Sequence, residues 1–477
     1  MGRVAGFIEF PRVDSSHRSI EERIHNYREF TDLPSEDELK RQGARCMDCG
    51  VPYCHSIGCP LGNIIPDWND LVYRGDWQKA YQRLELTNNF PEITGRICPA
   101  PCETACTLAA NDNPVSIKCI ELAIIERAFS KGWVVPHPPA FESGKRVAVI
   151  GSGPAGLAAA QQLRRAGHTV VLFEKSDAIG GILRYGIPDF KLEKGILDRR
   201  LEQMKQEGVR FETGVDVGTS ITPGDLKKDF DAILLTQGAG EPRDLKVPGR
   251  ELQGIHFAME YLTQSNRFVA GTAKKGEIIW AEQKNVLVIG GGDTGSDCVG
   301  TAVRQGAKKV YQFEILPKPA EWDAVYNPDW PDWPKFLKTS SSHEEGCERR
   351  WSIGTRQFTG TGGKVTSGHF NQVEWKDRPG KPPEITDVPG SEFTLDVDLV
   401  FLAMGFVHVE HSALINSLGI DVDQRGNIRT EANYTTSVQG VFAAGDAMTG
   451  ASLVVRAIWH GREAAKACTN YLLRQKK

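Results

Sequence analysis

Eight of the chain's 11 cysteines lie between Cys46 and Cys119. They are spaced as Cys46-x2-Cys49-x4-Cys54-x4-Cys59-Pro60 and Cys98-Pro99-x2-Cys102-x3-Cys106, with Cys119 a little further on. Iron–sulfur clusters take four ligands each, mostly thiolates, and a run of cysteines ending in Cys-Pro commonly lends its last sulfur to a second cluster. Seven well-placed cysteines therefore imply two clusters and one ligand still to be found. Structural zinc also takes four thiolates, but seven ligands serve two four-ligand sites poorly, and zinc explains nothing of the motifs that follow. Disulfides are disfavoured because no signal peptide opens the chain and a cytosolic redox poise keeps thiols reduced.

At 477 residues the chain is too long for one ordinary core, so two or three domains are expected. Net charge is −4 and the pI is near 6.3, which gives no basic face for nucleic acid. The longest apolar runs, such as Val147 to Ile150 and Val286 to Ile289, fall far below the roughly 20 residues a membrane span needs. The expectation is a cytoplasmic protein that binds neither membrane nor nucleic acid.

Up to about residue 130 the sequence lacks strand-like alternation and carries helical stretches at Asp67 to Leu86 and Val115 to Phe129, broken by loops rich in Cys and Pro. This predicts an all-helical cluster-binding domain over residues 1–140, closed by the stiff connector Val135-Pro136-His137-Pro138-Pro139. From Lys145 the texture becomes βαβ. A strand from Val147 leads into Gly151-Ser152-Gly153-Pro154-Ala155-Gly156, then a helix over Leu157 to Arg165, then a strand Thr169 to Phe173 that ends at Glu174. Such glycines let the backbone approach a pyrophosphate at a helix N-terminus, and an acid roughly 20 residues on accepts hydrogen bonds from a ribose. A second copy begins at Asn285, runs through Gly290-Gly291-Gly292-Asp293-Thr294-Gly295 into a helix, and reaches a strand Lys309 to Glu314. Two such units suit two different dinucleotides. Near the C-terminus Gly445-Asp446 precedes a helix-like stretch from Leu453 to Ala465. The predicted fold is α/β: a helical iron–sulfur domain, then a first dinucleotide unit (141–252), an inserted second unit (253–400) and the return of the first (401–477). Leu402-Ala403-Met404-Gly405 marks that return.

These residues resemble the small, or β, subunit of glutamate synthase. The similarity covers nearly the whole chain, through Arg45-Cys46-Met47-Asp48-Cys49-Gly50, Cys59-Pro60-Leu61-Gly62-Asn63, Gly95-Arg96-Ile97-Cys98, the run Gly180 to Pro188, and Gly290 to Gly295. The N-terminal half of dihydropyrimidine dehydrogenase and NADH-dependent ferredoxin:NADP oxidoreductase subunits share the architecture. The resemblance implies that NAD(P)H reduces FAD on this chain. Electrons then pass through two 4Fe–4S clusters to FMN on a large α subunit, which makes glutamate from glutamine and 2-oxoglutarate. The chain begins Met1-Gly2, without the Cys nucleophile of a glutaminase, and has no room for an FMN barrel of about 250 residues. Another acceptor, such as a ferredoxin, is the alternative.

By the same resemblance Cys46, Cys49, Cys54 and Cys106 would hold one cluster, and Cys59, Cys98 and Cys102 the other, with Glu121 completing it. Cys119 is the rival eighth ligand, and Ser56-Ile57 makes the Cys54 to Cys59 spacing longer than the family's usual one. The implied FAD contacts are Gly151, Gly153, Pro154, Ala155, Gly156, Glu174, Gly181, Lys191, Gly445, Asp446, Ser452, Leu453 and Val454. Those to the nicotinamide nucleotide are Gly290, Gly292, Asp293, Thr294, Gly295, Glu314 and Gly405. Hydride transfer needs no acid–base dyad, so no catalytic side chain is named. Glu314 stands 24 residues past Gly290 where an adenosine ribose should lie, with no Arg directly after it, so NADH is expected over NADPH. Disulfide reductases share the domain order, but no cysteine lies between Cys119 and Cys298, and Cys298 reads as a buried helix residue. The stretch Glu321 to Pro334, dense in Trp and Pro, reads equally as a docking loop or as a self-packed excursion.

Overall fold

A computed structural model describes residues 2–321, 329–332, 336–378 and 380–475. The N-terminal region builds on the helix Ile117–Ser130, whose residues Ile117, Ile120, Leu122, Ile124 and Ile125 are all buried. A helix apolar on every side must be wrapped by others, and Glu36–Ala44, Ile65–Tyr73, Trp77–Thr87 and Pro91–Ile97 all contact it or one another. The single helical stretch expected over 67–86 is two helices, because Gly75 turns the chain at φ 79° after Arg74. A short antiparallel ribbon, Ser16–His17 with Thr31–Asp32, also corrects the all-helical expectation.

Two parallel five-stranded sheets follow. The first has the order Val441–Ala443, Ala232–Leu235, Arg146–Ile150, Thr169–Glu174, Arg210–Thr213. The second has the order Glu348–Arg350, Lys309–Phe313, Asn285–Ile289, Leu399–Leu402, Ile255–Phe257. Parallel strands buried on both faces read as unbroken apolar runs, as in Val286 to Ile289 and Leu399 to Leu402. A four-stranded antiparallel sheet over 353–396, which the sequence pattern did not single out, hangs on the second unit.

The chain passes between the units as a two-stranded ribbon, outward at Glu241–Pro242 and back at Phe406–His408. Leu245, Val247 and Leu252 already pack on the second unit's core. Leu399–Leu402 is an internal strand of its sheet. The crossing points therefore lie at this ribbon and not at 252/253 and 400/401, because a buried strand such as Leu399–Leu402 must complete its own sheet before the chain can leave.

Buried ion pairs join the three bodies. Arg200 on the helix Lys194–Gln206 of the first unit grips Glu92 on the cluster-domain helix Pro91–Ile97 through two bonds of 2.7 and 2.8 Å. The side chain of Arg304 of the second unit is fully buried; it meets Glu345 at 2.5 and 3.0 Å, donates to the Asn26 carbonyl at 3.0 Å, and lies 3.8 Å over the ring of Phe190 of the first unit. Arg23 of the cluster domain reaches the same Glu345 at 2.8 Å. Removing one partner of a buried pair leaves an uncompensated charge and costs about 3–5 kcal/mol. Glu92→Ala should therefore lower the denaturant midpoint for loss of the cluster domain's contact with the first unit, followed by limited proteolysis at the 135–139 connector. A midpoint equal to wild type would show that this pair does not hold the two bodies together.

Candidate functional site

The cysteines separate into two groups. Cys46, Cys49, Cys54 and Cys106 act on one another electrostatically: burial first, then the charges of Cys106, Cys46 and Cys49, push the Cys54 thiol up. Burial, then Cys59 and Cys98, push Cys102 far up. Burial likewise holds Cys46 and Cys59 up to about 11 and Cys98 up to about 12. A bound metal centre supplies the compensating charge that lets such buried thiols ionise. A single zinc would draw its sulfurs to about 2.3 Å from one point. Among the described residues no three Cys, His, Asp or Glu side chains converge in that manner. A cluster brings its own iron and sulfide between its ligands, so its thiolates need not meet at one point.

The helix Ile117–Ser130 separates Cys119 from Glu121. Two positions apart on an α-helix are about 200° apart around its axis, so the two side chains leave opposite faces. Glu121 lines a small cavity with Cys59, Cys98 and Cys102. Burial pushes its carboxyl up to about 7 despite hydrogen bonds from Thr94 Oγ1 at 2.5 Å and Asn88 Nδ2 at 2.9 Å, both to Oε1. Cys119 instead accepts a hydrogen bond from Ser15 at 3.3 Å and faces a separate cleft with Arg12 and Lys118.

That cleft, of about 1780 Å³, lies between all three bodies. It exceeds the roughly 300–1,000 Å³ of a single-ligand pocket. Of the residues expected to contact FAD, Gly151, Gly153, Pro154, Ala155, Glu174, Gly181, Lys191, Asp446 and Ser452 to Val454 line it. Asp293 and Thr294 at the start of the second unit's helix, and Gly405, line it too. Cys98 and Gly95 bring the cluster domain to the same wall, and Val455 on the last helix, Val454–Arg474, borders the cavity of Cys59 and Glu121. Gly156, Gly445, Gly290, Gly292, Gly295 and Glu314 lie outside the cleft lining.

Both glycine loops obey one steric logic. Gly151 (φ 101°) and Gly290 (φ 123°) turn where a Cβ would meet the Thr236 and Ala403 carbonyls at 2.7 and 2.2 Å. A Cβ at Gly156 or Gly295 would strike the carbonyl of Gly151 or Gly290 at 1.9 or 2.3 Å. At Gly153 and Gly292 a Cβ would meet nothing within 4 Å, which is the open side a pyrophosphate needs. The acids repeat as well. Glu174 accepts from Ser152 N and Oγ at 3.1 and 2.6 Å and from Ser176 N at 2.8 Å. Glu314 accepts from Gly291 N at 2.7 Å and Leu316 N at 3.1 Å. Each carboxylate thus orients its glycine loop. Asp446 is held by Ser452 Oγ at 2.6 Å, and its burial raises its pKa. Cys298 is fully buried, and burial raises its thiol well above the usual range.

Three placements were not read from the sequence. Lys191 Nζ pairs with Asp297 Oδ1 at 2.5 Å across the two units. Asn69, fully buried, lies against the Cys46 thiol. Trp330, packed on Tyr53 with ring centroids 5.0 Å apart, donates to the Cys106 carbonyl at 3.1 Å. An acid four residues into a helix that starts at a glycine fingerprint was a visible signal for Asp297; the other two depend on folding from distant segments. Of the stretch Glu321 to Pro334, residues 322–328 and 333–334 lie outside the described residues.

Residues 145–461 match the pyridine nucleotide-disulphide oxidoreductase family, and residues 23–133 match dihydropyrimidine dehydrogenase domain II, a 4Fe-4S cluster family. These define the class: an NAD(P)H-dependent flavoprotein oxidoreductase joined to a 4Fe-4S domain. The chain is 51% identical to "Glutamate synthase [NADPH] small chain" of Mycobacterium tuberculosis over 99% of its own length and 96% of that protein. It is 45% identical to the Bacillus subtilis protein of the same name, over 99% of each. "Glutamate synthase [NADH]" of Schizosaccharomyces pombe is 45% identical over 98% of this chain and 22% of that protein. The chain belongs to the glutamate synthase small chain family. Among solved structures, FprA of Mycobacterium tuberculosis in complex with NADPH shares the fold of the two units, with TM-score 0.54 and 17% identity over 69% of this chain and 84% of that one.

The opposite faces of residues 119 and 121 give a direct test. Cys119→Ser should keep the iron and acid-labile sulfide of anaerobically reconstituted protein. Glu121→Ala should lose or alter one cluster's EPR signal while the other persists. The reverse pattern would put the eighth ligand at Cys119.

Proposed function

We propose that this chain takes a hydride from NADH on to FAD and passes the electrons, through two 4Fe–4S clusters, to the FMN-bearing large subunit of glutamate synthase in the cytoplasm. The observation that carries the reading is the shared cleft, where the first unit's glycine loop, the start of the second unit's helix and the Cys98 wall face the same space. FAD supplies the conversion of a two-electron hydride into single electrons.

The chain's own residues then have defined tasks. Gly151, Gly153 and the start of the helix Pro154–Arg165 take the FAD pyrophosphate, with Glu174 at a ribose. Asp446 and the N-terminus of Val454–Arg474 take the remaining flavin contacts. Cys59, Cys98, Cys102 and Glu121 hold the cluster beside the cleft, and Cys46, Cys49, Cys54 and Cys106 hold the outer one, where Cys46 and Cys49 are half-buried. A carboxylate ligand is harder than a thiolate and gives the inner cluster a different charge and potential. No helix among the described residues is long and apolar enough to cross a membrane.

The adenosine end of the nicotinamide nucleotide falls at Glu314, whose carboxylate accepts from ribose hydroxyls and repels a 2′-phosphate. The nearby cations support this: Arg350 is paired with Glu348 and Arg349 lies over the Trp351 ring at 4.8 Å. The names of the relatives include both nucleotides. The isolated chain should oxidise NADH with dyes or ferricyanide, and form glutamate only when the large subunit is added. Glu314→Arg should shift kcat/KM toward NADPH. A wild-type preference for NADPH of about tenfold, roughly 1.4 kcal/mol, would refute the role given to Glu314.

A further inference from the structure

On the reading above, NADH enters as a hydride donor and electrons leave alone. The balance NADH → NAD⁺ + H⁺ + 2 e⁻ then leaves one proton in the cleft at each turnover. That proton needs a path, since the cleft is walled by three domains and its charged side chains are mostly committed to partners, as Arg12 is to Glu103 and Arg96 to Glu29.

Lys191 and Asp297 are placed differently. The nicotinamide must meet the flavin where the two units face each other, and this pair spans that seam. Lys191 belongs to the first unit, Asp297 to the second unit's helix Asp293–Arg304, and both line the cleft. Nζ and Oδ1 are 2.5 Å apart, with the Asp297 side chain only 9% exposed. The neighbouring Lys194 is fixed in another way: its ammonium donates to the carbonyls of Ile187 and Leu192 at 2.7 and 2.9 Å and pairs with Asp189 at 3.0 Å. Among the described residues Lys191 Nζ has no such backbone anchor. Lys194 from the first unit and Asp293 from the second act on Asp297, and Lys191 acts on His343; Asp189 faces Lys194 and Arg349 faces His343 behind them. Burial raises the Asp297 carboxyl, and Lys191 opposes that rise. A buried carboxyl held against a lysine can exist as two charged groups or two neutral ones at modest cost.

We propose that Lys191 and Asp297 form the proton exit of the cleft. Lys191 Nζ passes its proton to Asp297 Oδ1, and the neutral amine then takes up the proton left behind by the departing electrons. Asp297 releases its own proton to solvent, so one proton enters the pair and one leaves it.

The inference rests on the proposed hydride-to-cluster reading, and single-turnover kinetics of the loaded protein separate the two. Lys191→Arg is the decisive variant, since a guanidinium keeps the charge and the pairing but does not give up a proton. With hydride uptake from NADH measured in the same variant as the internal reference, reoxidation of the reduced protein should slow by about 10²-fold relative to it, the usual scale of a lost proton carrier. Asp297→Asn should behave in the same way. Reduced-minus-oxidised infrared spectra of the wild type should carry a protonated-carboxyl band that shifts in D₂O and is missing from Asp297→Asn. If Asp297→Asn fails to fold, Lys191→Arg and the wild-type spectrum still decide. Wild-type reoxidation in Lys191→Arg, or a spectrum without that band, would make the pair a structural latch and overturn the proposal. Failure of wild-type hydride uptake would overturn both the proposal and the reading beneath it.

Discussion

The function depends on three bodies keeping one arrangement, and buried guanidinium–carboxylate pairs set it. Glu92 and Arg200 seal the cluster domain to the first unit. Glu345, gripped by Arg304 and Arg23, brings the second unit and the cluster domain to one point beside Phe190. Two charges pay a desolvation penalty that their attraction only partly offsets, so such pairs add little net stability. What they add is geometric: a shifted domain would strand a bare charge in an apolar seam. Inter-domain motion is the ordinary expectation when the interface is small and polar; here the cluster domain and the first unit also share one continuous apolar core.

That arrangement gives the cleft its chemistry. The same glycine geometry occurs in both units and leaves each loop open at the position corresponding to Gly153 and Gly292. The cluster helix contributes two opposed faces, so the Glu121 cavity and the Cys119 wall are separated by one helix thickness. A single helix thereby separates the small cavity from the large cleft while keeping them adjacent.

Much of this was legible in the sequence for physical reasons. Cysteine spacing, and glycines followed at fixed distance by an acid, are local signatures, and the strands and helices flanking them fell where their apolar periods put them. What could not be read were relations between distant segments. Whether Cys119 or Glu121 faces the cysteines depends on which side of Ile117–Ser130 the loops of Cys59 and Cys98 pack. The exit point after Leu402 depends on that strand pairing with Asn285–Ile289 and Ile255–Phe257. The antiparallel sheet over 353–396 was masked by exposed, polar strands such as Lys381–Asp387, which lack a buried alternating face. The Lys191–Asp297 pair joins residues from different units and has no local signature beyond an acid in a helix.

On the proposed function, one chain carries electrons from nicotinamide to iron–sulfur centres. Rapid freeze-quench EPR of the anaerobic, reconstituted chain, mixed with one equivalent of NADH and no large subunit, tests it most directly. Flavin bleaching should be followed by the appearance of a reduced-cluster signal within the same chain. Flavin that is fully reduced beside clusters that stay oxidised, whatever the delay and at cluster potentials accessible to a mild chemical reductant, would contradict it.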